Sequence, residues 1–375
     1  MSENLKKTQL NQWHKEHGGR MVPFAGWEMP VQYKTGPLQE HHSTRKAAGL
    51  FDIDHMGQIE IRGEQAEEFV NMLVTYDVSL MELNDAHYAL FCYADGGVID
   101  DLFVYRLTDP ENNKLDYFFL VVNASNLSKD VSWVQFQSHA FDVQVKDVSE
   151  ETYMLAFQGP KAPEILNRLT NVELTSVPRF TAVQGTFKEK VPMLLGRTGY
   201  TGEDGFELFF PAEHALYVWN EILKEGDDEG VMPIGLAARD SLRFEPCMPL
   251  YGHELSQNIT PVEARLNFAI TFEKDFIGRD VLLKQKLERP EKILVGFELI
   301  DRGVAREGYP VLFNDQQVGL VTTGMYSPTT SRYLGMAFVP REISSVGTEI
   351  EIKIRNKGAK ARIIKRPFYK PAYRS

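Results

Sequence analysis

The chain has 375 residues, 43% of them apolar and 25% charged, with a formal charge of −11 at pH 7 and two cysteines, Cys92 and Cys247. That length suggests two or three domains at about 150 residues each, and the composition is that of a soluble globular protein. The negative balance argues against a general nucleic-acid binder, two cysteines exclude a disulfide framework or a Cys-based zinc site and suit a reducing compartment, and no apolar run approaches the roughly 20 residues that span a bilayer.

The opening MSENLKKTQLNQWHKEHGG has no apolar h-region, so an untargeted, cytoplasmic setting is expected. The first fifty residues, with PFAGWEMPVQY, are rich in turn formers and aromatics and are expected to wrap the body. From Gln58 a short alternating strand, QIEIR, precedes a stretch whose apolar residues Ala66, Phe69, Val70 and Leu73 have helical spacing. Strands follow at YALFCY, VIDDLFVYR and YFFLVVN, then a helix through Leu127, Val131 and Val134, and a closing strand FDVQV. The order is close to βαββαβ with one extra strand. A second copy of the theme has a strand at TYMLAFQGP, a helix from Ala162 to Leu169, strands at PMLLGR and FELFF, and a helix from about Glu213 carrying Trp219, Ile222 and Leu223. Two similar α+β units suggest a duplicated body, with a ligand site between them.

After Glu273 the pattern changes to short strands, LVGFEL, QVGLVTTG, LGMAFV, EIEIKIR and ARIIKR, divided by Gly, Pro and Asn turns, as in a small β-barrel or sandwich. Its boundary falls around the charged stretch Lys284 to Lys292. From Glu351 to Ser375 there are nine Lys or Arg against one acid, so the other 350 residues carry about −19. EIEIKIR alternates, which makes Lys353 and Arg355 the wet side of an edge strand. The rest of the cluster leaves room for an anionic ligand tail or an acidic partner.

Candidate chemistry concentrates in a few stretches. There is no GxGxxG, Walker A loop, HExxH, CxxC or GxSxG elbow. His41 and His42 are adjacent, and helical neighbours point about 100° apart, so they do not make a metal pair. RTGYTGEDGFEL spaces Gly199, Gly202 and Gly205 by three; it reads as a hairpin loop needing positive φ, or as a backbone that approaches a flat ligand while Tyr200 and Glu207 contact it. In PIGLAARDSLRFE, Arg239 and Arg243 share a helix face, Asp240 can serve Arg243, and Arg239 is left for a bidentate carboxylate contact. In DGGVIDDLFVYR, strand alternation puts Asp101 with Ile99, Phe103 and Tyr105, and Asp100 with Val98, Leu102 and Val104, so the two cannot share a proton. A carboxylate desolvated on the aromatic side needs a donor or cation to meet it, and a substrate can supply one.

Read together, FAGWEMPVQY, EHHSTRKAAGLFDIDHMG, GGVIDDLFVYR, FQGP, RTGYTGEDGFEL, GLAARDSLRFE, LYGHEL, FIGRD and YSPTT resemble, in this order, the glycine cleavage system T-proteins, tetrahydrofolate-dependent aminomethyltransferases. The resemblance runs from Pro23 to the closing KRPFY. It implies a three-domain cloverleaf: two α+β domains, ferredoxin-like or duplicated, forming a folate-binding body, plus a small C-terminal β-barrel. Here residues 1–55 with 148–275 would form the first, 56–147 the second and 285–375 the barrel. It further implies transfer of the methylene group of aminomethyl-lipoyl H-protein to tetrahydrofolate, releasing ammonia, with no metal. Asp101 would be the catalytic carboxylate, while Tyr88, Asn123, Tyr200, Glu207, Arg239 and Tyr373 would bind the folate.

Two motifs depart from the family pattern. Asp54 stands where FDxSHMG usually carries Ser, and Pro246 and Pro249 stand where small or aliphatic residues are commoner. Two rivals share much of the pattern. A folate-dependent demethylase of a small sulfonium or amine would differ on the donor side. A non-enzymatic folate-binding protein of iron-sulfur maintenance is usually marked by a KGCYxGQE-like segment, where this chain has CMPLYGHEL.

Overall fold

The structure, a computed structural model, describes residues 5–108, 116–355 and 357–371. It resolves into two compact units, Met1–Ala89 with Asp101–Asp240, and Leu90–Asp100 with Ser241–Ser375.

In the first unit the N-terminal segment forms a helix, Asn11–Glu16, a two-stranded hairpin, Arg20–Phe24 with Trp27–Gln32, and a ten-residue helix, Pro37–Lys46. The hairpin tip places Ala25 and Gly26 at φ 49° and 82°, the double left-handed turn that matches strand twist. A six-stranded sheet follows in the order Ala182–Phe187, Val191–Gly196, Gly205–Pro211, Thr152–Gln158, Gly49–Asp52, Met232–Pro233. It is antiparallel except for its last pair, in which Met232 lies beside Gly49. The helices Ala162–Asn167 and Ala215–Glu225 send Ile165, Leu166, Val218, Trp219 and Ile222 into one core with Phe157, Phe206 and Leu208 of the sheet. Expected at about Glu213, the second helix instead begins at Ala215 after a short 3-10 turn, Ala212–His214.

A five-stranded sheet runs Ala86–Cys92, Val98–Thr108, Asp116–Val122, Gly57–Arg62, Gln144–Asp147. Helix Ala66–Leu73 buries Ala66, Phe69, Val70 and Leu73, the residues whose spacing predicts it. The strand Val98–Thr108 is covered on both faces: Asp100, Leu102 and Val104 are buried on one side, while Asp101 and Phe103 are half-buried and Tyr105 buried on the other. Tyr105 packs edge-on against Phe119 and Phe209, with ring centroids 6.1 and 5.7 Å away, tying this sheet to the six-stranded one.

In the second unit six strands close into a barrel, in the order Lys292–Leu299, Arg332–Pro340, Gln316–Ser327, Pro310–Phe313, Glu349–Ile354, Lys357–Ile364. Phe297, Val311, Ala337, Val339, Ile352 and Ala361 fill its interior. The edge-strand explanation for Lys353 is overturned, because Glu349–Ile354 pairs with Pro310–Phe313 on one side and Lys357–Ile364 on the other, and a closed barrel has no edge. Lys353 is exposed because alternation turns it outward. The charged stretch at 284–292 holds the end of helix Arg279–Glu288 and the start of the first barrel strand. Arg243 is buried against the barrel, its guanidinium donating to Glu254 Oε2 at 3.0 Å and to Thr323 Oγ1 at 3.2 Å. Glu254 Oε1 also accepts the hydroxyls of Thr322 and Thr323 at 2.5 and 2.6 Å, so this buried ion pair is met from several sides.

Candidate active site

Asp101 stands on an inner strand, and its partners arrive from the strands on either side. Tyr88, on Ala86–Cys92, donates its hydroxyl to Asp101 Oδ2 at 2.9 Å. Continuing the register that pairs Phe103 with Val121 sets Asn123 opposite Asp101, and the Asn123 amide donates to Asp101 Oδ1 at 2.9 Å and to its carbonyl at 3.1 Å. Both carboxylate oxygens therefore accept from a neutral donor, which orients the carboxyl group. Tyr88 and Phe103 rings meet at 5.9 Å, and Phe180 stacks on Phe103 at 6.5 Å, giving this face aromatic neighbours.

Tyr105, two pleats along the same face, reaches the other sheet. Its hydroxyl lies 2.7 Å from Thr198 Oγ1 and donates to Glu207 Oε2 at 3.3 Å; Thr198 donates to the same oxygen at 2.5 Å. Glu207 is buried, and burial pushes its carboxyl above the usual range, against the pull of the two hydroxyls and the charge of Arg239. The Arg239 guanidinium lies over the Tyr200 ring, 4.9 Å from its centroid. Of the sequence-predicted residues, Asp101, Tyr88 and Asn123 form one hydrogen-bonded group; Tyr200 and Arg239 form a stacked pair whose charge acts on Glu207. Tyr373 lies outside the described residues.

The RTGYTGEDGFEL loop needs its glycines for two different reasons. Gly202 and Gly205 have φ of 81° and 150°, as positive-φ turn positions would. Gly199 does not: a Cβ there would sit 1.9 Å from Gln158 Oε1. Gln158 holds the loop by donating to the carbonyls of Thr198 and Phe206 at 3.0 and 3.3 Å.

The segment FDIDHMG carries two unusual groups in the same unit. Asp52 accepts from Thr8 Oγ1 at 2.7 Å and lies 2.9 Å from His14 Nε2, while His14 Nδ1 meets the Tyr33 hydroxyl at 2.8 Å. Among the described residues the Asp54 carboxyl accepts only the Met154 N–H, at 3.1 Å; burial and the charge of Asp52 push it up to about 9. His55 is buried with neither ring nitrogen hydrogen-bonded among the described residues, and Phe24 lies edge-on at 5.5 Å. Burial, then the positive charge of Arg239, hold its imidazole down at about 3, so it is neutral at pH 7. Nothing in the spacing of the sequence singles out His55; only the orphaned nitrogens do. His41 and His42 lie on helix Pro37–Lys46 with rings 5.6 Å apart and near perpendicular, and among the described residues no group of three or more His, Cys, Asp or Glu is arranged to hold a metal.

Comparison with known proteins bears on what this arrangement serves. Residues 10–274 match the family model described as the GCVT N-terminal domain, and residues 292–370 match the glycine cleavage T-protein C-terminal barrel domain. The chain is 46% identical over 381 residues to an aminomethyltransferase of Symbiobacterium thermophilum, covering 100% of both chains. It is 47% identical over 369 residues to one of Desulforamulus reducens, covering 98% of this chain and 99% of that one. The crystal structure of glycine cleavage system aminomethyltransferase T from Bartonella henselae superposes with a TM-score of 0.91 at 31% identity, over 98% of this chain and 99% of that one. With matches that run end to end in both sequence and fold, the chain belongs to the glycine cleavage T-protein family and is an aminomethyltransferase of the glycine cleavage system.

Proposed function

We propose that the acceptor is tetrahydrofolate, that the donor is the aminomethyl group on the lipoyl arm of H-protein, and that Asp101 is the catalytic carboxylate. The observation that carries this reading is the fixed, half-buried carboxyl of Asp101, held on both oxygens by neutral donors and flanked by aromatic rings. In the reaction the aminomethyl carbon loses its bonds to sulfur and to the amine and gains bonds to two folate nitrogens. The two folate N–H protons end on the released thiol and on ammonia. The iminium on that route is cationic, so an ionised carboxylate stabilises it and can accept a folate proton. Tyr88 and Asn123 orient that carboxylate. Tyr200, Glu207 and Arg239 contact the folate in this reading, Arg239 answering a carboxylate of its glutamate end, and Tyr373 joins them.

The same reading takes residues 1–55 with 148–275, 56–147 and 285–375 as three domains. Support comes from the sheets, since the six-stranded sheet, the five-stranded sheet and the barrel draw on those segments respectively. A cytoplasmic setting away from nucleic acid is supported by the net charge of −11 and two free thiols. The test is ammonia release from aminomethyl-loaded H-protein with and without tetrahydrofolate. Release should require the folate and match formation of methylenetetrahydrofolate one for one; folate-independent release would overturn the reading.

A further inference from the structure

Helix Pro37–Lys46 buries no large apolar side chain. Its buried residues are Glu40, His41 and Thr44, and its one leucine, Leu38, is 53% exposed. A surface helix ordinarily docks through an apolar stripe, so this one holds its neighbours through polar groups instead. Two of those groups reach the segments that carry Tyr200 and Arg239. Arg45, in the last turn, donates to the Thr201 carbonyl at 2.7 Å and to Glu203 Oε1 at 2.9 Å. Both side chains of that ion pair are 5% exposed. Between Gly199 and Gly202 lie only Tyr200 and Thr201, so the ring stands on a stretch with little conformational preference of its own. Gln158 takes the Thr198 carbonyl before the ring, at 3.0 Å, and Arg45 takes the Thr201 carbonyl after it.

Glu40, in the first turn, accepts two backbone N–H groups, that of Tyr33 at 2.7 Å and that of Gly235 at 2.8 Å. Gly235 precedes helix Leu236–Phe244, and its carbonyl accepts the Arg239 N–H at 3.0 Å. One ten-residue helix therefore fixes the backbone under both members of the stack in which the Arg239 guanidinium lies 4.9 Å from the Tyr200 centroid. Stability alone does not account for a buried ion pair, because an apolar pair of similar volume often serves as well. What Arg45 supplies is direction: its planar guanidinium, paired with Glu203, presents a donor to one carbonyl in one geometry. A ligand that meets side chains on a backbone already set loses less freedom on binding.

We propose that Arg45 and Glu40 are positioning residues for the folate acceptor: Arg45 sets the loop that aims Tyr200, and Glu40 sets the helix that aims Arg239. This rests on the folate contacts of Tyr200 and Arg239 proposed above. Its test is the Kd for tetrahydrofolate, by calorimetry on the full chain, with steady-state turnover on aminomethyl-loaded H-protein. Arg45→Met, and Glu40→Gln, which can accept only one of the two N–H groups, should each raise Kd and KM for tetrahydrofolate about tenfold, with kcat within about threefold of wild type. Arg45→Met leaves Glu203 buried without its cation, so Arg45→Met with Glu203→Gln, which leaves no unpaired charge, is the companion variant and should give the same shift. In a Tyr200→Ala background the Arg45 change should move Kd less than about twofold, and in an Arg239→Gln background the Glu40 change likewise, because each acts through the side chain already removed. A merely structural role would lower affinity by the same factor in every background. An unchanged Kd for either variant, or an effect of full size in its matched background, would overturn the role given to that residue while leaving the folate contacts intact. If Tyr200→Ala and Arg239→Gln alone bind tetrahydrofolate as wild type does, the contacts themselves are overturned, and the positioning with them.

Discussion

Replacing Asp54 by Asn should stabilise the first unit, by an amount set by pH. In the folded chain burial and the charge of Asp52 push this carboxyl up to about 9, whereas an unfolded Asp ionises near 3.9. The native state therefore binds a proton that the unfolded chain has released, so stability falls as pH rises from about 4 to about 9. At about 1.36 kcal/mol per pH unit the loss at pH 7 is bounded at about 4 kcal/mol, and residual solvent contact with the half-buried group brings the expectation to about 2–3 kcal/mol. Asn keeps an oxygen for the Met154 N–H, 3.1 Å away in the native chain, and has no proton to take up. Asp54→Asn should thus change little at about pH 4 and gain most at about pH 8. All four tryptophans, Trp13, Trp27, Trp133 and Trp219, lie in the first unit, so urea unfolding followed by tryptophan fluorescence reports on that unit alone. A gain of equal size at both pH values, or a loss at pH 8, would refute the reasoning, because only a proton taken up on folding makes the effect grow with pH.

Tyr88→Phe removes the 2.9 Å bond to Asp101 Oδ2 and should lower kcat about tenfold in the aminomethyl-transfer assay, as the loss of one hydrogen bond to a charged group implies. Arg239→Gln should raise the KM for tetrahydrofolate at least tenfold. It should also let the His55 imidazole, held down at about 3 partly by that arginine, titrate at a higher pH in an NMR titration. Glu254→Leu leaves the Arg243 charge buried without its partner, 3.0 Å away in the native fold, and should lower the hydrogen-exchange stability of barrel amides such as those of Val321 and Ala337 by about 3–5 kcal/mol.

Local pattern made much of the fold legible. Helix Ala66–Leu73 and the strand from Val98 follow from apolar spacing, and the alternation that separates Asp100 from Asp101 is the pleat of one strand. What surrounds Asp101 was not legible in this way. Tyr88 and Asn123 lie 13 and 22 residues away, and only the order of three strands brings them to the two carboxylate oxygens. Their place beside Asp101 came from family resemblance, which implied folate contacts and said nothing of the hydrogen bonds they make to the carboxylate. The barrel itself was expected, but the short strand Pro310–Phe313, absent from the expected set, is what pairs with Glu349–Ile354 and leaves no edge. Gly199 looked like a third turn glycine, yet its reason is the side chain of Gln158, a neighbour 41 positions back that no local pattern reveals. The altered position Asp54 was visible as a departure, but its neutral state comes from burial and Asp52 together.

The central claim is that a single fixed carboxylate carries the transfer, and single-turnover kinetics of Asp101→Asn test it most directly. With saturating tetrahydrofolate and aminomethyl-loaded H-protein, the variant should bind folate within about tenfold of wild type while ammonia release slows at least a hundredfold. Asn keeps the shape and an acceptor for the Tyr88 hydroxyl, so the loss reports the charge together with the one hydrogen bond from Asn123 that its NH2 cannot accept. Ammonia release at the wild-type rate in Asp101→Asn, with folate binding intact, would contradict the account.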